Sequence, residues 1–337
     1  MGERSPFHRL PPRVRRYSSL IHRARGSRQG EIARKSRDAF TAMMEWLLLL
    51  SYESSPRRYT MLKAIGSPDR GGTKTVHRLR RIASLLLAIP ALFSACAVPR
   101  TATVPVPTIT YAKRPEARAA SLVILLPGIK SRSGDFDRKR FIGIARERGV
   151  DADLIEVDLH FGYYLDGSCS RRLWEDVVAP ARASGYQRIW IVGISLGGSG
   201  AIGFAREHRD ALAGLVLLSP YLGPPEMAGR IRSAGGLEKW IPENSGADGS
   251  FEKFIEENWG FLKGVSVTGG RSPALYLGYG RNESMGPSLD LLADSLPADH
   301  VIRVPGGHRW NTWQALWEEI LSRHLFDEPK AETMALP

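Results

Sequence analysis

Residues 188–198 read RIWIVGISLGG. The run from Ile189 to Ile194 is apolar apart from Gly193, which is the signature of a strand buried on both faces of a parallel sheet. Ser195 follows at once, with Gly193 two residues before it and Gly197 two after, and a helical pattern is under way by Gly200. A G-x-S-x-G stretch at a strand-to-helix junction demands a sharp turn. The turn holds the serine in strained backbone and projects its hydroxyl above the sheet, while the flanking glycines leave room for the neighbouring chain. The same letters elsewhere in a chain would mean only a glycine-rich turn with an idle serine, so the strand before and the helix after carry the reading.

The pattern extends in both directions. Apolar, β-branched runs at 121–126, 154–157, 212–218, 274–279 and 301–304 predict further strands. Helical spacing is seen at 135–149, at 170–183 with an interruption near Pro180, at 200–208, at 287–296 and at 310–324. Buried strands alternating with helices predict an α/β fold, with a mostly parallel sheet covered by helices on both faces. Residues 221–272 form a stretch of about 50 residues with three helical patches, longer than a crossover needs, and read as a small helical cap. The domain is expected to span 119–327, ahead of a short tail at 328–337.

A serine hydroxyl needs a base to take its proton. His308, in the sequence PGGH of residues 305–308, sits between the last strand and the last helix, at the sheet edge where ligands collect. His160 follows Asp158 at the same edge and is the rival. His208 and His324 fall on helices, and His300 precedes its strand at the opposite edge. An acid should orient the imidazole, and Glu283, directly after the strand 274–279, is the preferred candidate. Asp290 and Asp294 lie in the following helix, and Glu226 is a substitute position. The N–H groups of Leu196 and of Ile129, in the sequence PGIK of residues 127–130, are placed to donate to a developing oxyanion. Lys130 and Arg132 beside that loop read as solvated charge, with contact to an anionic substrate as the alternative.

The strand–GISLGG–helix junction, the LLPG of residues 125–128 and the PGGH before the last helix together resemble the α/β-hydrolase superfamily. The resemblance covers about residues 119–326, and the chain order Ser195, acid, His308 matches it. Asp is commoner than Glu at the acid position. The resemblance implies a serine hydrolase acting on a small-molecule acyl substrate, first of all a carboxylic ester, through an acyl-enzyme on Ser195. Thioesters, amides or an acyl acceptor other than water use the same machinery, and a non-catalytic protein that retains the fold is the competing class. No metal-ligand spacing, phosphate-binding loop or dinucleotide fingerprint occurs, so no cofactor is expected.

The front of the chain is different in kind. Residues 1–95 hold 19 of the 47 Lys/Arg and only 6 of the 35 Asp/Glu, which leaves the remainder at −1. The net charge of +12 is therefore local, and nucleic-acid binding by the globular part loses its electrostatic basis. Residues 1–76 read as a basic, disordered extension, or as sequence upstream of a true start such as Met61. Residues 77–96 combine a basic cluster, the apolar run 82–93 and the ending FSAC, in the order of a secretory signal, and the run is too short to span a bilayer. FSAC resembles the lipobox of bacterial lipoproteins, with Phe93 in place of the usual Leu. That implies lipidation of Cys96 and export to the envelope membrane. The Pro/Thr-rich segment 97–118 then reads as a semi-rigid tether, and Cys169 remains as an ordinary thiol. Trp310, Trp313 and Trp317 have the spacing of core residues, and Tyr163-Tyr164 either line an acyl pocket or cap their loop.

Overall fold

The structure, a computed structural model, describes residues 100–243, 248–267 and 273–327. The basic extension, the signal segment with Cys96 and the tail 328–337 lie outside these residues. Seven strands form one sheet: β1 (Thr108–Tyr111), β2 (Ser121–Leu126), β3 (Ala152–Val157), β4 (Arg188–Ile194), β5 (Gly214–Leu218), β6 (Ala274–Gly280) and β7 (Val301–Val304). Their order is β1-β3-β2-β4-β5-β6-β7, with β1 antiparallel and the other six parallel. This is the α/β-hydrolase fold, with the strand that leads to Ser195 at its centre.

Alternate side chains along the central strands feed two cores. Val123, Leu125, Val192, Ile194, Val216 and Leu218 face helices α1 (Phe141–Glu147) and α7 (Trp310–Leu321), the latter through Trp317 and Leu316. Leu122, Ile124, Leu126, Ile191, Leu215 and Leu217 face the other way. They pack on α2 (Phe161–Leu165), α3 (Leu196–His208) and α6 (Gly286–Ala293). Each of these central strands thus buries both faces, as the interior of a parallel sheet requires, whereas β1 and β7 at the edges do not. The insertion after β5 carries α4 (Pro225–Ser233) and α5 (Phe251–Val267), two helices among the described residues where three patches were expected. Among the described residues no helix is long and apolar enough to cross a membrane.

Three local features differ from expectation. The stretch 135–149 is not one helix, because Arg140 adopts φ 63° between the short helix Asp135–Arg138 and α1. The stretch 170–183 is interrupted earlier than Pro180, by a π-helical turn at Trp174–Val178. The segment 97–118 is not a free tether from Arg100 onward. Val106 is buried, β1 pairs with β3, and Arg100 makes a two-pronged ion pair with Asp158 at 2.8 and 2.9 Å. An edge strand held by ladder bonds leaves little apolar trace in sequence.

Candidate active site

Strand β4 ends at Ile194, and Ser195 turns the chain into α3 with φ 53° and ψ −115°, a conformation that costs a non-glycine residue on the order of 1–3 kcal/mol. The turn closes because its flanks are glycine. A Cβ on Gly193 would run into the Gly197 backbone, and one on Gly197 would meet the Leu126 carbonyl. Ser195 is nearly buried, and its Oγ lies 2.9 Å from His308 Nε2. His308 stands in the loop between β7 and α7, its ring edge-on to Trp313 with centroids 4.9 Å apart. Its Nδ1 lies 2.9 Å from Glu283 Oε2. Glu283 hangs from the loop after β6, which is tied to the histidine loop by two bonds, Arg281 N–H to the Val304 carbonyl and Asn282 N–H to that of Gly306. Ser195, His308 and Glu283 therefore form one hydrogen-bonded row, although they come from three separate strand ends.

A fourth residue extends the row. Ser219, directly after β5 and fully buried, donates its hydroxyl to Glu283 Oε1 at 2.6 Å and accepts the indole N–H of Trp313 at 3.1 Å. Its φ of 45° is again in the left-handed region. Both oxygens of a carboxylate whose side chain has 0% exposure are thus occupied. A buried charge is tolerable only when it is bonded in this way. In the sequence Ser219 is merely the residue after the predicted strand 212–218, and Trp313 has the spacing of a core residue. The signal available was position: Ser219 ends the strand next to β4, as Ser195 ends β4 itself.

On the opposite side of Ser195 runs the loop after β2. A Cβ on Gly128 would lie 3.4 Å from Ser195 Cβ, so this backbone passes directly against Ser195, and Ile129 lines the cleft with it. Leu196 opens α3, where the first N–H groups have no intrahelical acceptor. The far end of the β2 loop is pinned by Glu156, which accepts the Gly134 N–H at 2.7 Å. Burial pushes the Glu156 carboxyl up from its ordinary value. The cleft above Ser195 has a volume of about 690 Å³. Its walls are Ile129, Met285, Trp310 and Trp313, with Lys130 and Arg309 at its rim. Among the described residues no cluster of His, Cys, Asp and Glu has the arrangement of a metal site.

The other candidates lie elsewhere. His160 caps α2, its Nδ1 accepting the Gly162 N–H, and desolvation, with Arg100 nearby, lowers its pKa. His208 stacks on Trp174, His300 meets the Leu275 carbonyl at the opposite edge, and His324 pairs with Asp327. Asp290 accepts from the Tyr279 hydroxyl. Tyr163 bonds Thr103, and Tyr164 donates to the Leu196 carbonyl behind the elbow, so the pair supports loops and does not line the cleft. Burial pushes the Cys169 thiol up to about 12, and it stays protonated. Trp317 is core, whereas Trp313 and Trp310 serve both core and cleft.

No protein-family model matches the chain, and no curated protein does. Among solved structures it is similar to a ferulic acid esterase, at 13% identity over 65% of this chain and 91% of that one, with a TM-score of 0.46. It is also similar to a monoacylglycerol lipase of Paleococcus ferrophilus, at 15% identity over 65% and 99% of the two chains, with a TM-score of 0.43. An S-formylglutathione hydrolase of Agrobacterium tumefaciens matches at 16% over 68% and 93%, with a TM-score of 0.45.

Proposed function

We propose that this chain is a serine hydrolase that cleaves a carboxylic ester through an acyl-enzyme. The observation that carries the reading is the row Ser195 Oγ, His308 Nε2, His308 Nδ1 and Glu283 Oε2, with two contacts of 2.9 Å, reached from a strained elbow that opens on a cleft. In the first half-reaction Ser195 Oγ attacks the carbonyl carbon while its proton passes to His308 Nε2. Glu283 accepts from Nδ1–H and stabilises the imidazolium by its charge. The N–H groups of Leu196 and Ile129 receive the oxyanion. The carbon–oxygen bond to the leaving alcohol breaks, and that oxygen takes the proton from Nε2. Water then attacks the acyl-serine and gives a proton to Nε2, which returns it to Ser195 Oγ as the carboxylic acid departs.

Ser219 acts through Glu283 as a positioning residue, because its hydroxyl holds the carboxylate oxygen that does not face the imidazole. The decisive experiment is labelling of the full chain with a fluorophosphonate, followed by location of the adduct. An adduct on Ser195 that disappears in His308→Gln supports an activated nucleophile. A folded protein that stays unlabelled removes the hydrolase reading. Export with a lipid on Cys96 belongs to the same proposal for the chain as a whole. It rests on the residues 77–96, and the mass of the mature N-terminus tests it: an unmodified residue upstream of Cys96 would overturn it.

A further inference from the structure

The cations of the described chain are for the most part engaged. Arg100 holds Asp158, Arg138 holds Asp135, Arg140 holds Glu147, Arg172 holds Asp176, and Arg206 holds Glu257. Lys130, Arg132, Arg281 and Arg309 are not engaged, and neither are Lys139, Arg182 and Lys239, but the first four share one place in the fold. All four are exposed, and none of their side chains makes an ion pair, hydrogen bond or ring contact within the described residues. All four also belong to the loops that follow β2, β6 and β7 at the edge where Ser195 stands. Lys130 and Arg309 line the cleft itself.

No carboxylate of this edge pairs with them, although Asp137, exposed and without an ion pair, lies further along the segment that carries Lys130 and Arg132 and does not line the cleft. Asp135 is bound to Arg138 and to the Arg132 backbone N–H, and Asp158 is bound to Arg100. Glu156 and Glu283 are buried with their own donors, and Glu226 on α4 does not line the cleft. Lys130 is next in the chain to the proposed donor Ile129, and Arg309 is next to His308. They approach from loops after β2 and β7, which lie on opposite sides of β4 in the sheet. The same cleft is lined by the apolar side chains of Ile129, Met285, Trp310 and Trp313, with Ser131, Asn282 and Ser284 as neutral polar neighbours. A cleft with one sign of charge at the rim and low-dielectric walls concentrates ligands of the opposite sign.

We infer that the substrate is an anionic ester, with a carboxylate or phosphate on its acyl or alcohol part, selected by Lys130 and Arg309. This inference rests on the proposed hydrolase reading and deepens it. The unpaired cations would make their ion pairs with the substrate rather than with the protein.

The test uses the full chain, its Lys130→Gln/Arg309→Gln variant and two matched pairs of esters. One pair is p-nitrophenyl hexanoate and the p-nitrophenyl monoester of adipic acid, which carries its charge on the acyl side. The other is phenyl acetate and 4-acetoxybenzoate, with the charge on the leaving group. For each pair the ratio of kcat/KM, anionic over neutral, is divided by the same ratio in the variant, so that intrinsic reactivity cancels. A quotient of about ten or more in at least one pair is expected, falling towards one as salt rises from about 0.02 to 0.5 M. A quotient near one in both pairs overturns the inference and leaves the hydrolase reading intact. Protein that takes the fluorophosphonate on Ser195 but turns over none of the four esters also counts against the anionic class. Protein that neither labels nor turns over breaks the hydrolase reading first.

Discussion

Two adjacent strands end in the same way and to different purpose. β4 delivers Ser195 and β5 delivers Ser219, each in the first position past its strand and each with a positive φ, 53° and 45°. Their hydroxyls bond the two ends of one row, Ser195 to His308 Nε2 and Ser219 to Glu283 Oε1. The surroundings decide what each can do. Beyond Ser195 lie Gly197, Gly198 and a cleft, so its hydroxyl has one protein partner and an open side. Beyond Ser219 lies Pro220, and its hydroxyl is enclosed between a carboxylate and the Trp313 indole. Strained backbone by itself therefore does not distinguish the proposed nucleophile from its neighbour. The open side does.

The comparison breaks most sharply at Ser195 and at the carboxylate of Glu283. Ser195→Ala is expected to reduce kcat for an ester substrate by a factor on the order of 10⁵ to 10⁶, with the far- and near-ultraviolet circular dichroism unchanged. If ester turnover survived in Ser195→Ala, the serine of β4 would lose its assigned role. Glu283→Gln preserves volume and removes the charge that the row is built around. A loss in kcat on the order of 10³ to 10⁴ is expected, with KM little affected. A loss below about tenfold would mean that another carboxylate serves His308.

How much of this row was legible in the chain follows from how local each signal is. RIWIVGISLGG carries strand and turn within eleven letters and a helical pattern follows at once, so Ser195 and its setting could be read directly. His308 and Glu283 were readable as strand-tip positions, because apolar runs end just before them. Ser219 was not, since its partner Glu283 lies 64 residues away and the contact exists only once β4, β5 and β6 are side by side. β1 was hidden for another reason. The stretch TITY alternates between exposed and half-buried residues and is held by ladder bonds to β3. No hydrophobic run announces it within a Pro/Thr-rich segment. The break at Arg140 likewise depends on packing of Phe136 and Phe141 against Trp310, which helical periodicity does not report.

Ser219→Ala sharpens the comparison at the quiet end. It removes a hydrogen bond to a charged group, worth about 1.5–3 kcal/mol, and leaves one carboxylate oxygen and the Trp313 N–H without their partner. Because the lost bond orients the acid and touches no substrate, kcat should fall about tenfold or more while KM holds. Fluorophosphonate labelling of Ser195 should slow in proportion to kcat. A rise in KM with kcat intact would instead assign Ser219 to substrate binding. Stability alone lost, with kcat and KM both preserved, would reduce it to a packing residue.

The smallest effect separates the two serines most cleanly. Glycine accepts positive φ without strain, and its extra freedom in the unfolded chain is the same wherever it is placed. Ser195→Gly and Ser219→Gly therefore share the unfolded-state cost and both relieve strain. They differ in the bonds lost. At Ser195 the loss is one contact to a partly exposed histidine, which water can replace. At Ser219 two bonded groups in the interior are abandoned, at about 1–3 kcal/mol each. Ser219→Gly should thus be less stable than Ser195→Gly by about 2–6 kcal/mol, or roughly 5–15 °C in Tm for a domain of this size. Thermal unfolding of the two variants side by side measures this difference directly. Equal midpoints would mean that Ser219 contributes no more to the fold than Ser195 does, and that the hydrogen bonds around Glu283 are not what keeps a carboxylate buried beneath the histidine.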